Sequence, residues 1–257
     1  MSQPAAARAV SQPETRSVTM NEVRRDSLDA MDIAQDATTL SAFERWRRAL
    51  TALAKVMADP EKTDQVLVFS IYANAGSMPK RIHRFFESED GRRLYDEHRT
   101  IDSKSIDLDA LAALPEDTLG HAYAHFLRSR GLTPAVFDAP PSEVSDPRMQ
   151  YVVQRLRQTH DLWHVVTGHD TDAASEVALQ AFTFAQVRAP SSAILATVGT
   201  LRAMREKRDV ARDVVRSLRL GIRAHGLPVF PWEDHWATPV RDVRALLGIP
   251  ADGITAN

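Results

Sequence analysis

Apolar residues recur along this chain at the spacing of helices rather than strands. Between Leu40 and Ala58, the residues Phe43, Trp46, Leu50, Leu53 and Met57 follow one another at three and four positions, and Asp59-Pro60 ends the run. Val66, Leu67, Phe69, Ile71 and Tyr72 predict a second helix over 63–74. After the Asn74-Ala75-Gly76-Ser77 break come short amphipathic helices over 78–87 and 90–97, then a turn or two over 108–114 closed by Pro115. Residues 116–129 set Leu119, Tyr123, Phe126 and Leu127 on one face, whereas 131–147 hold four prolines without a clear period and read as a loop. Further helical patterns follow from Met149 onward, over 172–188, 191–206 and 208–224, and from Pro239 to Leu247. The pattern predicts an all-α fold: one helical domain of roughly eight to ten helices over 38–250, a disordered N-terminal tail over 1–37 rich in Ala, Ser, Gln and Pro, and a C-terminal tail over 251–257.

Composition narrows the chemistry. With no cysteine, the chain has no disulfide, no thiolate nucleophile and no sulfur ligand, so any metal must take nitrogen and oxygen donors. A net charge of −2 with dispersed basic residues leaves no nucleic-acid footprint. No apolar run reaches the eighteen or so residues that span a bilayer, and the N-terminus lacks the apolar core of a secretory signal. A cytoplasmic protein is expected, with peripheral contact at the inner face of the cytoplasmic membrane. The N-terminal arginines faintly resemble a transit peptide, but Glu14 and Glu22 argue against one.

The densest chemistry lies in His160-Asp161-Leu162-Trp163-His164, with Glu176 twelve residues beyond His164. Imidazoles at i and i+4 project from successive turns of one helix and can converge on one ion. Asp161 lies about 100° round the helix from His160 and needs a tilt to join them. Glu176 must come from a second element, and Gly168, Asp170 and Asp172 in the connector favour the reversal that would return it. Met149, Val153 and Leu156 lie within roughly 40° of His160 on a helical projection, so the histidines continue an apolar stripe and should point inward. A metal, or hydrogen bonds in the core, would satisfy their ring nitrogens.

Other features carry less. His121 and His125 form a second i, i+4 pair, yet they flank their apolar face without a nearby carboxylate and read as solvated or hydrogen-bonded. Gln180 and Thr183 form a polar strip that either orients ligands or is simply exposed. Small residues around Gly199 in 193–201 suit close packing, or room for a long apolar ligand. Residues 208–223 set Arg208, Arg212, Arg216, Arg219 and Arg223 on one side and Val210, Val214, Leu218 and Ile222 on another, either a solvated face or one for anionic headgroups.

The segment His160 to Glu176 resembles the His-Asp-x-x-His, eleven residues, Glu signature of the coenzyme Q biosynthesis protein four family. Asp90-Gly91-Arg92-Arg93-Leu94, Thr118-Leu119-Gly120, Tyr151-Val152-Val153-Gln154-Arg155 and Glu233-Asp234-His235-Trp236 are similar to other segments of that family, and the likeness covers about residues 42 to 250. A bacterial member is expected. Ser175 stands where the family usually has Gly, and Asp170 and Asp172 replace its usual Pro and Asn, changes of loop shape rather than of ligands.

The resemblance implies that His160, Asp161, His164 and Glu176 bind a divalent metal, zinc by usual description, with iron or manganese also compatible. It implies a lyase of ubiquinone synthesis that removes the ring carboxylate at carbon one of a polyprenylated hydroxybenzoate, in an oxidative reaction where hydroxylation is coupled to it. The implied partners are that lipid or a quinone-like one, and other ubiquinone biosynthetic enzymes; a homodimer is plausible from the apolar helices. The alternative is a non-catalytic prenyl-lipid scaffold. A metal phosphohydrolase of the HD type is a further reading, but its additional ligands would have to come from His121 or His125 and Asp209 or Asp213, without supporting context.

Overall fold

The computed structural model describes residues 33–59, 63–138, 144–205 and 210–254. The described residues contain twelve α-helices and three 3-10 turns, with no strand among them. Helix α1 covers 33–39, and then come α2 (Ala42–Ala58), α3 (Thr63–Ala75), α4 (Met78–Glu87), α5 (Glu89–Asp96), α6 (Leu108–Ala112), α7 (Leu119–Ser129), α8 (Pro147–Thr167), α9 (Ala173–Val187), α10 (Pro190–Arg205), α11 (Ala211–Arg223) and α12 (Val240–Leu247).

Helix α8 is the axis of the fold. Asp146 caps it by accepting from the Met149 N–H at 2.8 Å, and Pro147 fits the first turn, where no amide hydrogen is needed. Gly168 ends it in the left-handed conformation at φ 79°, which only glycine adopts without strain. One side of α8 enters the main core through Leu162, Trp163 and Val166, which pack with Leu119, Tyr123, Leu127, Phe182, Trp232 and Val243. A smaller apolar cluster joins α1, α2, α3 and α10 around Ala37, Ala49, Leu53 and Phe69.

Arg155 lies in the middle of α8 with its side chain fully buried. Glu233 meets it with both carboxylate oxygens, the second at 2.9 Å, and the Phe230 carbonyl accepts from the guanidinium at 3.0 Å. This pair fastens the segment between α11 and α12 across the axis. At the other end of that segment, the Leu119 and Gly120 amides donate to the carbonyls of Thr238 and Trp236 at 2.9 and 2.8 Å. A side chain at Gly120 would meet the Leu114 methyl at 2.7 Å, so glycine permits the approach.

Two expectations change, and two helices pack in directions that the spacing left open. Residues 33–39 are helical and Ala37 is fully buried, so the fold begins before 38; residues 1–32 lie outside the described residues. Residues 251–254 are not a tail: Gly253, at φ 81°, turns the chain so that the Ile254 amide donates to the Thr167 carbonyl at 2.7 Å and its side chain is buried. In α2 the apolar stripe is split: Phe43 is 79% and Leu50 55% exposed, while Leu53 is buried beside Ala49 and Ala52, through which the helix packs. In α11 the inner line is Val210, Ser217 and Gly221, while Ile222 is 69% exposed; Arg208 lies outside the described residues. Close approach decides this, since a side chain at Gly221 would come within 2.8 Å of the Phe182 carbonyl in α9.

Breaking a buried ion pair leaves its partner's charge uncompensated, at a cost of about 3–5 kcal/mol. Glu233→Gln is therefore expected to lower unfolding free energy by about 3 kcal/mol or more in urea titration, whereas Arg155→Met with Glu233→Leu recovers most of that loss. A single substitution costing under about 1 kcal/mol would count against the pair as a fastener.

Candidate metal centre

His160 and His164 stand one turn apart on α8, with ring centroids 4.9 Å apart and planes at 82°. Glu176 comes from the first turn of α9, as the loop residues arrange. Asp172 caps α9 by accepting from the Ala174 and Ser175 amides at 2.9 and 3.2 Å, and the Ser175 hydroxyl also donates to it. Two of the three residues that depart from the family pattern, Asp172 and Ser175, thus form the cap that presents Glu176.

The ligand atoms of His160, His164 and Glu176 lie within 4.8 Å of one another. His164 Nδ1 donates to the His169 carbonyl at 3.1 Å, since a carbonyl can only accept, and this turns Nε2 toward Glu176 Oε1, 3.3 Å away. Ligands about 2 Å from a tetrahedral ion stand about 3.3 Å apart, a spacing His164 and Glu176 already have, and with His160 closing in from within 4.8 Å the two imidazoles and the carboxylate could hold a divalent cation. The His164 ring is fixed by the carbonyl and by stacking on Phe126 at 5.3 Å. Asp161 is not in this cluster. Its position about 100° round the helix carries it to the wall of the neighbouring cavity, as the helical projection anticipates.

Burial governs the ionisation of the group. It pushes His160 down to about 4, and the charge on His164 adds to this, so His160 is a neutral donor at neutral pH. Burial also works against charge on His164, but the hydrogen bond and charge of Glu176 outweigh it and raise its pKa. Glu176 is lowered in turn: burial opposes the shift, and the His164 hydrogen bond prevails. Burial raises Asp161, whose neighbours include the charges of His164, Glu176 and Arg130. Burial and the Asp161 charge both hold the Tyr123 hydroxyl in its protonated form.

A cavity of about 580 Å³ opens beside the cluster, between the two apolar cores. Val66, Leu67 and Ile71 of α3, Met149, Val153 and Leu156 of α8, and Leu195 of α10 give it an apolar wall, and His160 and Asp161 stand at its edge. The stripe that continues into His160 therefore faces a cavity rather than close-packed core. Gln180 and Thr183 line the same space, so the polar strip of α9 points inward. Gly199 of α10 packs on Val177, which a side chain would meet at 2.3 Å, while Ser191, Ser192 and Leu195 of that helix border the cavity.

His121 Nδ1 donates to the Ala112 and Leu114 carbonyls at 3.0 and 3.1 Å, and His125 is exposed, so this pair forms no second centre. Sequence reasoning missed His169. Its carbonyl orients His164, and its ring meets Ser217 Oγ at 2.9 Å. Adjacency to the left-handed Gly168 was the available signal. It also missed Arg81, Trp163 Nε1 and the Tyr123 hydroxyl as polar groups without a protein partner.

Fold and site define an all-helical protein with a histidine and carboxylate centre at the edge of an apolar cavity. The chain belongs to the coenzyme Q (ubiquinone) biosynthesis protein Coq4 family, which matches residues 35–252. It is similar to the mitochondrial ubiquinone biosynthesis protein COQ4 of Laccaria bicolor, 32% identical over 82% of this chain and 71% of that protein. The mitochondrial COQ4 homolog of Aedes aegypti is 28% identical over 75% and 71%. A crystal structure from Nostoc punctiforme, of a protein assigned to ubiquinone biosynthesis, superposes with a TM-score of 0.64 at 28% identity over 82% of this chain and 98% of that one. The likeness thus spans mitochondrial and bacterial proteins and does not single out a bacterial member. The cytoplasmic expectation is overturned, because these curated relatives are named as mitochondrial. It rested on weighing arginines against Glu14 and Glu22, and such a balance is a weak guide to an address that a receptor reads. Among the described residues no helix is long and apolar enough to cross a membrane.

Two outcomes follow from the buried imidazoles. His160 and His169 are both held near 4, against 6.5 in the unfolded chain, so their burial costs stability once the unfolded chain takes up protons. Metal-free protein is expected to lose unfolding free energy as pH falls from about 6.5 toward 4, with His169→Gln reducing the slope; a flat urea-denaturation profile there contradicts this. Zinc is expected to raise the melting temperature at neutral pH, less as protons compete for the imidazoles, and not at all in His164→Ala.

Proposed function

We propose that the protein binds a polyprenylated hydroxybenzoate with its tail in the apolar cavity and its ring beside His160, and removes the ring carboxylate at carbon one in ubiquinone synthesis. The carrying observation is that His160 belongs both to the His160, His164 and Glu176 cluster and to the cavity wall. The names of the similar proteins support the pathway. A volume of about 580 Å³ is in the range that encloses small-molecule ligands.

A divalent ion in the cluster, by preference zinc, would supply Lewis-acid stabilisation of a developing oxyanion; iron or manganese would also admit the oxidative variant of the reaction. The chain's own groups do the rest. When the carboxylate leaves as carbon dioxide, the electron pair of the broken bond stays on the ring carbon, which must then gain a proton. Asp161 borders the cavity with a pKa raised by burial and is the donor we assign to that step. Met149, Val153 and Leu156 exclude water from the ring.

A scaffold reading has its own support, since His164 and Glu176 pair directly and tie α8 to α9 without chemistry. In it the protein would hold a prenyl lipid for other ubiquinone biosynthetic enzymes. The two separate in an assay of labelled carbon dioxide released from a carboxyl-labelled farnesylated hydroxybenzoate by zinc- or iron-loaded protein. Release is expected, falling by about a hundredfold or more in Asp161→Asn with metal content retained. Lipid binding without release under either metal would remove the decarboxylase reading and leave the scaffold.

A further inference from the structure

Arg81 lies one turn into α4 and borders the main cavity. Its Nε and Nη1 are shut off from solvent, and neither has a hydrogen-bond partner in the protein. Arg84, one turn on, does find one, in the Gln186 carbonyl at 3.4 Å. Burial without a compensating carboxylate lowers the Arg81 pKa to about 10, which still leaves it charged at neutral pH. The side chain as a whole is partly buried, yet two donors of a cation left without acceptors are costly, and a ligand oxyanion would satisfy them.

Its surroundings indicate what that ligand carries. Arg81, Leu156 and Val187 border both the main cavity and an adjoining one of about 230 Å³. Leu156 stands one turn before His160 on α8, whereas Val187 lies eleven residues after Glu176 on α9, so Arg81 borders the cavity about 6 Å along α8 from His160 and roughly 16 Å along α9 from Glu176, toward the end remote from the carboxylate. Two other lining groups lack partners, Trp163 Nε1 and Thr183 Oγ1. All three can donate a hydrogen bond, and one is cationic. The carboxylate in the lining, Asp161, has Arg130 rather than Arg81 among its charged neighbours.

We propose that Arg81 is the anion-recognising residue of the cavity, its guanidinium gripping the oxyanion head, carboxylate or phosphate, of an apolar-tailed ligand, with Thr183 and Trp163 completing the donor set. This inference rests on the reading of the cavity as a lipid site given above, but not on any reaction there. Arg81 acts on affinity: a guanidinium fork matches two oxygens of one acid group and has no match in a neutral head.

The test measures binding to full-length protein of a farnesylated hydroxybenzoate, its neutral carboxamide and farnesyl phosphate, for the unsubstituted chain, Arg81→Met and Arg81→Lys. Unsubstituted protein is expected to prefer an acid to the carboxamide, and whichever acid it prefers identifies the source of the oxyanion. Arg81→Met should weaken the preferred acid roughly ten- to a hundredfold and the carboxamide little, with Arg81→Lys between them. The melting temperature of ligand-free Arg81→Met should hold or rise, because an uncompensated buried charge is gone. Equal losses for acid and carboxamide, no loss for either, or a lowered melting temperature would overturn the assignment to Arg81. Failure of the unsubstituted protein to bind any of the three probes would overturn the lipid-site reading and this inference with it.

Discussion

Helix α8 is enclosed on nearly every side, and a polar group taken from water must find a partner or cost about 1–3 kcal/mol. That requirement orders much of the rest. Arg155 draws Glu233 and the Phe230 carbonyl across the axis. Gln158 accepts from the Ile101 amide at 3.1 Å and donates to Thr100 at 2.8 Å, and the Tyr151 hydroxyl donates to the Leu94 and Arg99 carbonyls. Thr159 and Thr167 donate back to carbonyls of their own helix. The bonds of Tyr151, Arg155 and Gln158 each pin a segment that lies far away in sequence, so these polar residues of α8 locate the loops as its apolar residues locate the helices.

Arg155 Nε aside, what α8 does not satisfy internally lies at one end and toward one neighbour. His164 is held by the His169 carbonyl on one nitrogen and meets Glu176 with the other. His160 and Asp161 border the cavity instead of the closed core. The short reversal between Gly168 and Asp172 makes this possible, since its glycine ends one helix and its aspartate starts the next. A bend with other caps would rotate α9 about its axis and carry Glu176 away.

Helical spacing made the fold class legible, and the caps set the bounds at Asp146, Gly168 and Asp172. The His160, His164 and Glu176 arrangement was legible too, because it depends on one helix period and one reversal. The direction each apolar face points was less so. In α2, small residues won the inner side over Phe43 and Leu50, and in α11 Ser217 and Gly221 won it over Ile222, since close approach favours small side chains whatever the hydrophobic count. A stripe of Met149, Val153 and Leu156 looks the same in sequence whether it meets packed neighbours or a cavity. Arg155 and Arg81 were illegible for another reason: an arginine in a helical pattern is ordinarily exposed, and only tertiary contacts show one paired and the other unpaired.

The cavity lies between the cluster formed by α1, α2, α3 and α10 and the larger core around α7, α8 and α9, so the two cores share a boundary made of its walls. Asn74 donates to Ser191 Oγ at 2.9 Å and accepts from the Ser191 amide at 3.1 Å, holding α3 against the start of α10. An apolar ligand seated there would bury α3 and α8 surface together and join the two cores through its own body. Occupancy would then stabilise the fold by mass action, most strongly where its head also meets the unpartnered donors of the wall. The same feature that makes the ligand-free wall costly, donors shut away without acceptors, favours a ligand that brings an acceptor over one that is only greasy.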